Sequence, residues 1–136
     1  MIDPMDISVS GLIAQRTRLN AIASNIANAF TTRDEQGQVN PYRRRAPIFR
    51  VGMIANGEQA EVGVRVEQII QDPGPLPMKY EPGHPDANAD GYVRMPNVDL
   101  TTEYVDALEA TRAYEANVAA IEATKAMRAA ALRIIA

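Results

Sequence analysis

Apolar residues recur with a helical period at both ends of the chain, and a polar stretch rich in proline and glycine separates the two ends. The first periodic run follows Ser10-Gly11, a pair that suits the start of a helix. Its apolar positions are Leu12, Leu19, Ile22, Ile26 and Ala29. The pattern predicts an amphipathic helix over 10–32, preceded by a flexible leader at 1–9.

The second periodic run covers 97–136, and Asp99 precedes two threonines there in an arrangement typical of a helix N-cap. The stripe of mainly apolar residues that follows comprises Tyr104, Leu108, Thr111, Tyr114, Val118, Ile121, Leu132 and Ile135. Alanines recur at every third position from Ala107 to Ala119 and spiral around the helix, since such a step turns about 300°. The sequence predicts a long helix that neighbours can approach closely, although alanine also has high helix propensity by itself.

The middle of the chain, 33–96, carries shorter signals. β-branched residues alternate with glycine and charged residues over 62–70, which predicts a strand. We expect an extended segment at 42–49 and a proline-rich turn at 72–77. The stretch 80–99 has too many Pro, Gly, Asp and Asn residues for a helix or a buried strand, and we expect an ordered loop there.

Composition limits the core that this chain can form. It contains no Trp and only 2 Phe, and alanine, which buries little area, makes up much of its apolar fraction. We therefore expect a mainly α fold in which the long N- and C-terminal helices pair as a coiled coil, with a small irregular and β middle segment. Because each helix has an apolar seam without a complete core, we expect other chains to cover the helices as well.

The residue types present exclude several kinds of chemistry. The absence of cysteine removes disulfides, thiolate catalysis and Cys-based metal sites. No apolar run is long enough to span a bilayer, so we expect no direct membrane insertion, and the N-terminus lacks the features of a cleavable signal peptide. No nucleophile triad, phosphate-binding loop or paired-carboxylate site stands out, so we expect neither an enzyme nor a cofactor.

Charge is distributed unevenly along the chain. Residues 1–50 hold seven basic residues and four acids, a net charge of +3, whereas residues 51–136 hold seven basic residues and thirteen acids, a net charge of −6. A basic front and an acidic back suit head-to-tail contact between copies or relatives. A solvated surface with chance asymmetry accounts for the same pattern equally well.

The segment 86–97 partly matches a calcium-binding EF-hand loop. Asp86, Asn88 and Asp90 stand at its first three ligand positions, and a glycine and an apolar residue follow at the expected places. Asn97 replaces the bidentate Glu at the last position, so these three residues are weak metal candidates and a turn-rich loop is the favoured interpretation. His84 lacks a second His or a Cys beside it, and a role in fixing the loop is favoured.

Three consecutive arginines, Arg43 to Arg45, adjoin a tyrosine in an otherwise acidic protein. They are weak grounds for a nucleic-acid partner, and none is expected. An ion-pair contact between subunits, made with the acidic C-terminal part, is favoured over it.

Two long strings resemble the flagellar axial proteins, and among them the basal-body rod proteins. SGLIAQRTRLNAIASNIANAFTT, 10–32, resembles their N-terminal signature. YEPGHPDANADGYVRMPNVDLTTEYVDALEATRAYEANVAA, 80–120, resembles the C-terminal signature of the proximal rod members, and its combination of PGHPDANADGYV, PNVD and EATRAYEAN is highly specific. Phe30 stands where the family usually has Asn, which changes the turn chemistry after the first helix.

The resemblance implies a structural subunit of the proximal rod, in the bacterial flagellar basal body. Such proteins are exported unfolded by the flagellar type III apparatus without signal cleavage, and they build a hollow, torque-transmitting shaft across the periplasm. It implies that the terminal helices pair in the inner tube. The implied partners are other rod proteins, the junction protein at the MS ring, further copies of the chain and the export apparatus. The alternatives are another rod protein or hook-junction adaptor and, from a different class, a small calcium-binding module at 86–97.

We expect the assembly interface to consist of apolar helix positions and of a loop that locks neighbouring copies. The helix positions are Leu12, Leu19, Ile22, Ile26, Leu108, Val118, Ile121 and Leu132. The loop positions are Pro82, His84, Tyr92 and Pro96.

Overall fold

The computed structural model describes residues 4–56 and 59–135, and two long helices bracket four strands in it. The elements are α1 Pro4–Ala27, β1 Arg45–Asn56, β2 Gln59–Gln71, β3 Met78–Tyr80, β4 Tyr92–Arg94 and α2 Leu100–Ile135. Terminal helices around a small β middle segment confirm the predicted fold class at this level. No helix in the described ranges is long and apolar enough to cross a membrane.

Helix α1 begins earlier than predicted, because residues 4–9, expected to form a flexible leader, are helical. Proline is well suited to the first helical turn, where its missing N–H has no partner to lose, and Asp6 complements the positive end of the helix dipole. The Ser10 hydroxyl donates to the Ile7 carbonyl over 2.7 Å, so Ser10 lies inside the helix rather than at its start. The helix ends at Ala27, residues 28–30 form a turn, and 31–32 are irregular.

The two helices run antiparallel along each other. Asn25 and Arg18, in the second half of α1, bond to Glu103 and Asp106 near the start of α2. Gly11, closer to the start of α1, lies against Asn117, where an added Cβ would be 2.9 Å from the amide oxygen. As α1 advances from Gly11 to Asn25, α2 therefore runs back from Asn117 to Glu103.

The face of α2 that meets α1 is small and polar, which differs from the predicted apolar seam. Glu103 and Ala110 are fully buried, whereas Tyr104 and Leu108 are 58% and 62% exposed. The other residues that are partly covered on this face are Asp106, Ala107, Ala113, Asn117, Ile121 and Thr124. Small residues allow the two backbones to approach closely. The carboxylates of Glu103 and Asp106 on this face form ion pairs with arginines. The larger apolar side chains of α2 consequently lie outside the helix pair.

Strands β1 and β2 form an antiparallel hairpin that lies along α1. Arg45 pairs with Gln71 at the base and Gly52 with Gly63 further out, with a register shift between Ile48 and Phe49. Near the end of α1, the Asn25 amide bonds to the Arg45 backbone, and near its start the Ser10 hydroxyl accepts a 3.0 Å bond from the Val64 N–H. The predicted strand at 62–70 is confirmed as part of β2, and the expected extended segment at 42–49 falls partly in β1.

Strands β3 and β4 form a second, short antiparallel pair; β4 lies inside the stretch 80–99 that the sequence predicts to be a loop, and β3 ends at the first residue of that stretch. Val93 in β4 is 1% exposed, while Tyr92 and Arg94 on either side of it are exposed, so the stretch contains a short, half-exposed strand that the sequence did not predict. In the turn between the strands, the side-chain amide oxygen of Asn88 accepts bonds from the Asp90 and Tyr92 N–H groups. Gly91 adopts a φ of 79°, a left-handed conformation that glycine tolerates, and the chain turns there into β4.

The core among the described residues is small and rich in alanine, as composition predicts. Its buried apolar members are Ala14, Ala21, Ile22, Ala29, Val93 and Ala110. Three polar residues are buried as well: Asn25, Thr32 and Glu103. Their hydrogen bonds hold the helices and loops together, a task that a large apolar core performs in other domains.

Candidate functional site

A buried polar cluster joins α1, α2 and the base of the hairpin. The Asn25 amide donates to Glu103 Oε2 over 3.0 Å and to the Arg45 carbonyl over 2.9 Å, and its oxygen accepts from the Arg45 N–H and the Tyr42 hydroxyl. Asn25 is 1% exposed and Glu103 is fully buried. Because every polar atom of the Asn25 amide has a partner, its burial carries no desolvation penalty for an unmet group.

Arg44 neutralises the two carboxylates at this cluster. Its Nε donates to Glu103 Oε1 over 2.6 Å and its Nη2 to Asp106 Oδ2 over 2.9 Å. Burial lowers the pKa of Arg44, but the hydrogen bond to Glu103 and the nearby carboxylate charges outweigh it, so the pKa rises overall. The arginine therefore stays charged and holds the hairpin base to the start of α2.

The arginine cluster contacts its own chain, which corrects the expectation of an ion pair between subunits. Arg44 binds acids of α2, and Arg43 donates to the Asp72 and Gly74 carbonyls over 3.1 and 3.0 Å. The Arg45 guanidinium lies 5.4 Å from the centre of the Tyr42 ring. The acidic C-terminal part was the right partner for Arg44, but the contact is intramolecular.

A second polar contact fastens the 82–91 loop to the segment that follows α1. Asp86 accepts 2.7 Å hydrogen bonds from the Thr32 hydroxyl and from Arg33 Nε, and its side chain is 2% exposed. The bonds from Arg33 and Thr32 lower the pKa of Asp86 below its usual range. His84 accepts a 3.1 Å bond from the Asp86 N–H through Nδ1, so it fixes this loop.

Two of the three calcium candidates bond to other groups of the chain. The carboxylate of Asp86 is bonded to Thr32 and Arg33, and the Asn88 oxygen caps the turn before β4. Within residues 4–56 and 59–135 no group of three or more His, Cys, Asp or Glu side chains is arranged to hold a metal ion. The oxygen-rich pattern of this segment is therefore explained by turn and latch hydrogen bonds.

The residues expected at the assembly interface fall into three groups. Ile22 and Pro96 are buried within the chain's own fold. Five others on the helices, together with His84, are half-buried: Leu12, Leu19, Ile26, Val118 and Ile121. The exposed ones are Leu108, Leu132, Pro82 and Tyr92.

Sequence reasoning missed several exposed apolar residues on the helices. Ile13 on α1 is 63% exposed, and Val105, Met127 and Ile134 on α2 are 60%, 65% and 86% exposed. Tyr80 was also missed: its ring packs edge-on against Tyr92, with centroids 5.2 Å apart, and both rings are largely exposed. The exposure of the three α2 residues follows from the face that Glu103 and Ala110 turn towards α1, which the apolar periodicity does not show.

Known families match the two helical ends of the chain. The flagella basal body rod protein family matches residues 5–33, which contain most of α1, and the C-terminal family of the flagellar basal body rod FlgEFG proteins matches 89–134, which contain most of α2. Over nearly its full length the chain is 46% identical to the flagellar basal-body rod protein FlgC of Yersinia enterocolitica, covering 93% of this chain and 92% of the relative. The chain belongs to the flagellar basal-body rod protein family.

Other relatives of this rod-family chain agree. FlgC of Bacillus subtilis is 42% identical, over 96% of this chain and 95% of the relative. FlgC of Borreliella burgdorferi is 40% identical, over 99% of this chain and 97% of the relative. The chain is accordingly a FlgC-like structural rod subunit of the flagellar basal body, and the resemblance found in its sequence is confirmed. The matches to FlgC also include the hairpin, which lies between the two family regions.

Proposed function

We propose that this chain is a subunit of the proximal rod that polymerises with related subunits, through its terminal helices, into a hollow torque-transmitting shaft. Its partners are other rod proteins, further copies of the chain and the junction protein at the MS ring. It reaches the rod through the flagellar type III export apparatus without cleavage of a signal peptide. The family membership of the chain supports each of these assignments.

One observation about α2 carries the proposal. The fold buries Glu103 and Ala110 but leaves Tyr104, Val105 and Leu108 between 58% and 62% exposed. In a protein that acts as a monomer, the large apolar side chains of a helix face the core. Contiguous apolar surface that the chain itself does not cover marks an interaction surface. This face of α2 is therefore available to neighbouring subunits in the shaft.

The 82–91 loop supplies a second assembly surface. Asp86 fastens it to Thr32 and Arg33, so the loop is held in one conformation before any partner arrives. Pro82 is exposed on the loop and Tyr92 is exposed directly after it, at the start of β4, and aromatic residues held rigidly at a surface are favoured interface anchors. We assign to this loop the contact that locks neighbouring copies.

Basal bodies isolated from a bacterium lacking the gene for this chain test the proposal. Electron microscopy is expected to show rings without a rod, and a plasmid copy carrying a small tag is expected to restore the rod, with the tag at its cell-proximal end. Complete rods without the chain would contradict the proposal. A tag located at the hook junction would favour the hook-junction adaptor instead.

A further inference from the structure

Strands β3 and β4 turn one face of their short sheet away from the chain. Met78 pairs with Arg94 and Tyr80 pairs with Tyr92, so these four side chains share one face. All four are exposed, whereas Val93, on the opposite face, is buried. We call Met78, Tyr80, Tyr92 and Arg94 the tyrosine face. It is open to a partner.

The tyrosine face is held in shape and carries unused hydrogen-bond donors. The Tyr80 ring packs edge-on against Tyr92, and a Cβ added at Gly91 would lie 2.9 Å from that ring, so Tyr80 has little room on that side. The two tyrosine hydroxyls and the Arg94 guanidinium have no hydrogen bond to another described residue. Aromatic rings flanked by donors suit a segment that offers apolar rings and carbonyl oxygens.

Pro73, Pro75 and Pro77 form an exposed ridge immediately before β3. The residue before each proline is restricted to extended conformations, so the segment is stiff. The Arg43 guanidinium donates to two backbone carbonyls at its start, and the Met95 N–H donates to the Pro77 carbonyl over 2.8 Å at its end. We call the three prolines the proline ridge. No other stretch of the chain holds three prolines within five residues.

The proline ridge offers what the tyrosine face can bind. Its prolines have no N–H and cannot donate to a strand ladder, so side-chain contact is the way to cover them. The carbonyls of Pro73, Pro75 and Leu76 accept no hydrogen bond from another described residue. Stiff, proline-rich segments dock in grooves lined by aromatic side chains. Ridge and face are therefore complementary in ring surface and in hydrogen bonding.

The ridge and the tyrosine face cannot meet within one chain. The bond from the Met95 N–H to the Pro77 carbonyl extends the β3–β4 ladder, so the ridge continues β3 instead of folding back over it. At about 3.3 Å per residue, Pro75 lies about 16 Å from Tyr80 along this extended segment. A second copy of the chain supplies the matching surface.

We propose that the proline ridge of one copy docks on the tyrosine face of a second copy. This inference rests on the proposed function, in which the 82–91 loop and the adjoining Tyr92 lock neighbouring copies, and it names the surface that they contact. The ridge and the face are separate parts of each copy, so a docked pair keeps one free ridge and one free face. A third copy can bind there, and the contact repeats from head to tail. Both surfaces are held in shape beforehand, which lowers the entropy lost on docking.

Cross-linking between differently tagged copies tests the contact, since the chain contains no cysteine. One copy carries Gln71→Cys, at an exposed position two residues before the ridge, and the other carries Gly83→Cys, at an exposed position beside Tyr80. Basal bodies isolated from cells that express both copies are treated with a short bis-maleimide. A band that carries both tags is expected. With Asn20→Cys, exposed on α1, in place of Gln71→Cys, no such band is expected.

Substitutions within the two surfaces test the chemistry of the contact. Tyr92→Leu and Pro75→Ala are each expected to lower the yield of the doubly tagged band about tenfold, relative to the amount of chain in the basal bodies, because each removes ring contact. Tyr92→Phe, which keeps the ring, is expected to retain more of the band than Tyr92→Leu. The matched control for Pro75→Ala is Pro4→Ala, at an exposed proline outside the ridge, which is expected to keep the full yield.

Three outcomes overturn the inference: no doubly tagged band, an equal band from the Asn20→Cys control, or a band that Tyr92→Leu and Pro75→Ala leave unchanged. A photoreactive maleimide on the Gly83→Cys chain that links only a different protein assigns the tyrosine face to a related subunit and also overturns it. If the chain enters basal bodies without forming the band, this contact is refuted and the proposed function stands. If the chain is absent from basal bodies, both are refuted.

Discussion

Asn25 on α1 donates a hydrogen bond to Glu103 on α2 over 3.0 Å, and both side chains are buried. The same amide bonds to the backbone of Arg45 at the base of the hairpin, and Arg44 beside it neutralises Glu103. One small group of polar residues thus sets the positions of both helices and the hairpin. It also fixes which face of α2 is turned away from the chain, and therefore which face is offered to other subunits.

We predict that Asn25→Ala lowers the free energy of unfolding by at least about 2 kcal/mol, because the Arg45 backbone N–H and carbonyl and the buried Glu103 carboxylate lose a partner. Urea denaturation measures the change. Asn20→Ala, at an exposed position of the same helix, is the matched control and is expected to cause no loss. Equal stability of the two variants would contradict the role of Asn25.

Arg44→Met is expected to destabilise the chain by about 3 kcal/mol, the low end of the range for breaking a buried ion pair, because it leaves Glu103 buried and charged. The control Arg50→Met removes the exposed pair with Glu67 and is expected to cost less than about 1 kcal/mol. The double variant Arg44→Met/Glu103→Met is expected to recover part of the loss. An Arg44→Met variant no less stable than Arg50→Met speaks against this ion pair as a fastening of the hairpin to α2.

The Asp86 latch predicts a dependence of stability on pH. The pKa of Asp86 is lowered in the folded chain, so the unfolded chain binds the proton more tightly. The latch therefore contributes its full stability above the unfolded pKa of about 3.9. That stability is lost as the pH falls through the folded pKa. Asp86→Asn is expected to lower the urea midpoint at pH 7 and to reduce the difference between pH 7 and pH 3. Asp90→Asn, on the exposed turn, is expected to keep the wild-type difference; the same loss in both variants would rule out the latch.

Gly63→Ala is expected to loosen the hairpin from α1. The added methyl group would lie 2.9 Å from Ser10 Cβ and closer still to the Ser10 hydroxyl. Because that hydroxyl accepts the hydrogen bond from the Val64 N–H, the strand must move, at a cost of about 1 to 3 kcal/mol. Faster proteolysis of the hairpin and a lower urea midpoint are the readouts. Gly83→Ala, where no atom lies within 4 Å of the added group, should change neither, and a harmless Gly63→Ala would exclude this contact.

Features that depend on neighbouring residues were predictable from the sequence. Asp99 caps α2 as expected, accepting from the Thr101 and Thr102 N–H groups over 3.2 and 3.3 Å. The strand at 62–70 and the alanine-rich core also follow from local pattern and composition. Each needs only information within a few residues or in the composition of the chain.

Features that depend on distant partners were not predictable in the same way. The apolar pattern of α2 does not show that Glu103 is the residue that faces α1: Arg44, from the middle of the chain, makes the burial of Glu103 favourable, and Leu108 is left exposed. The sequence offered Asp86 as a weak calcium ligand in a turn-rich loop, but the pattern does not reveal its partners Thr32 and Arg33. In both cases a charged residue far away in the sequence decided the role of the group.

Replacement of Leu108 by aspartate tests the central claim, that exposed apolar residues of α2 serve assembly rather than folding. Because Leu108 is 62% exposed, Leu108→Asp is expected to change the free energy of unfolding by no more than about 0.5 kcal/mol. Thr101→Asp, which also adds an acid to an exposed position of α2, is the control. Immunoblots of isolated basal bodies are expected to detect the wild type and Thr101→Asp and to lack Leu108→Asp, with loss of swimming only in the last. A folded Leu108→Asp chain present in basal bodies at the wild-type level would contradict the account.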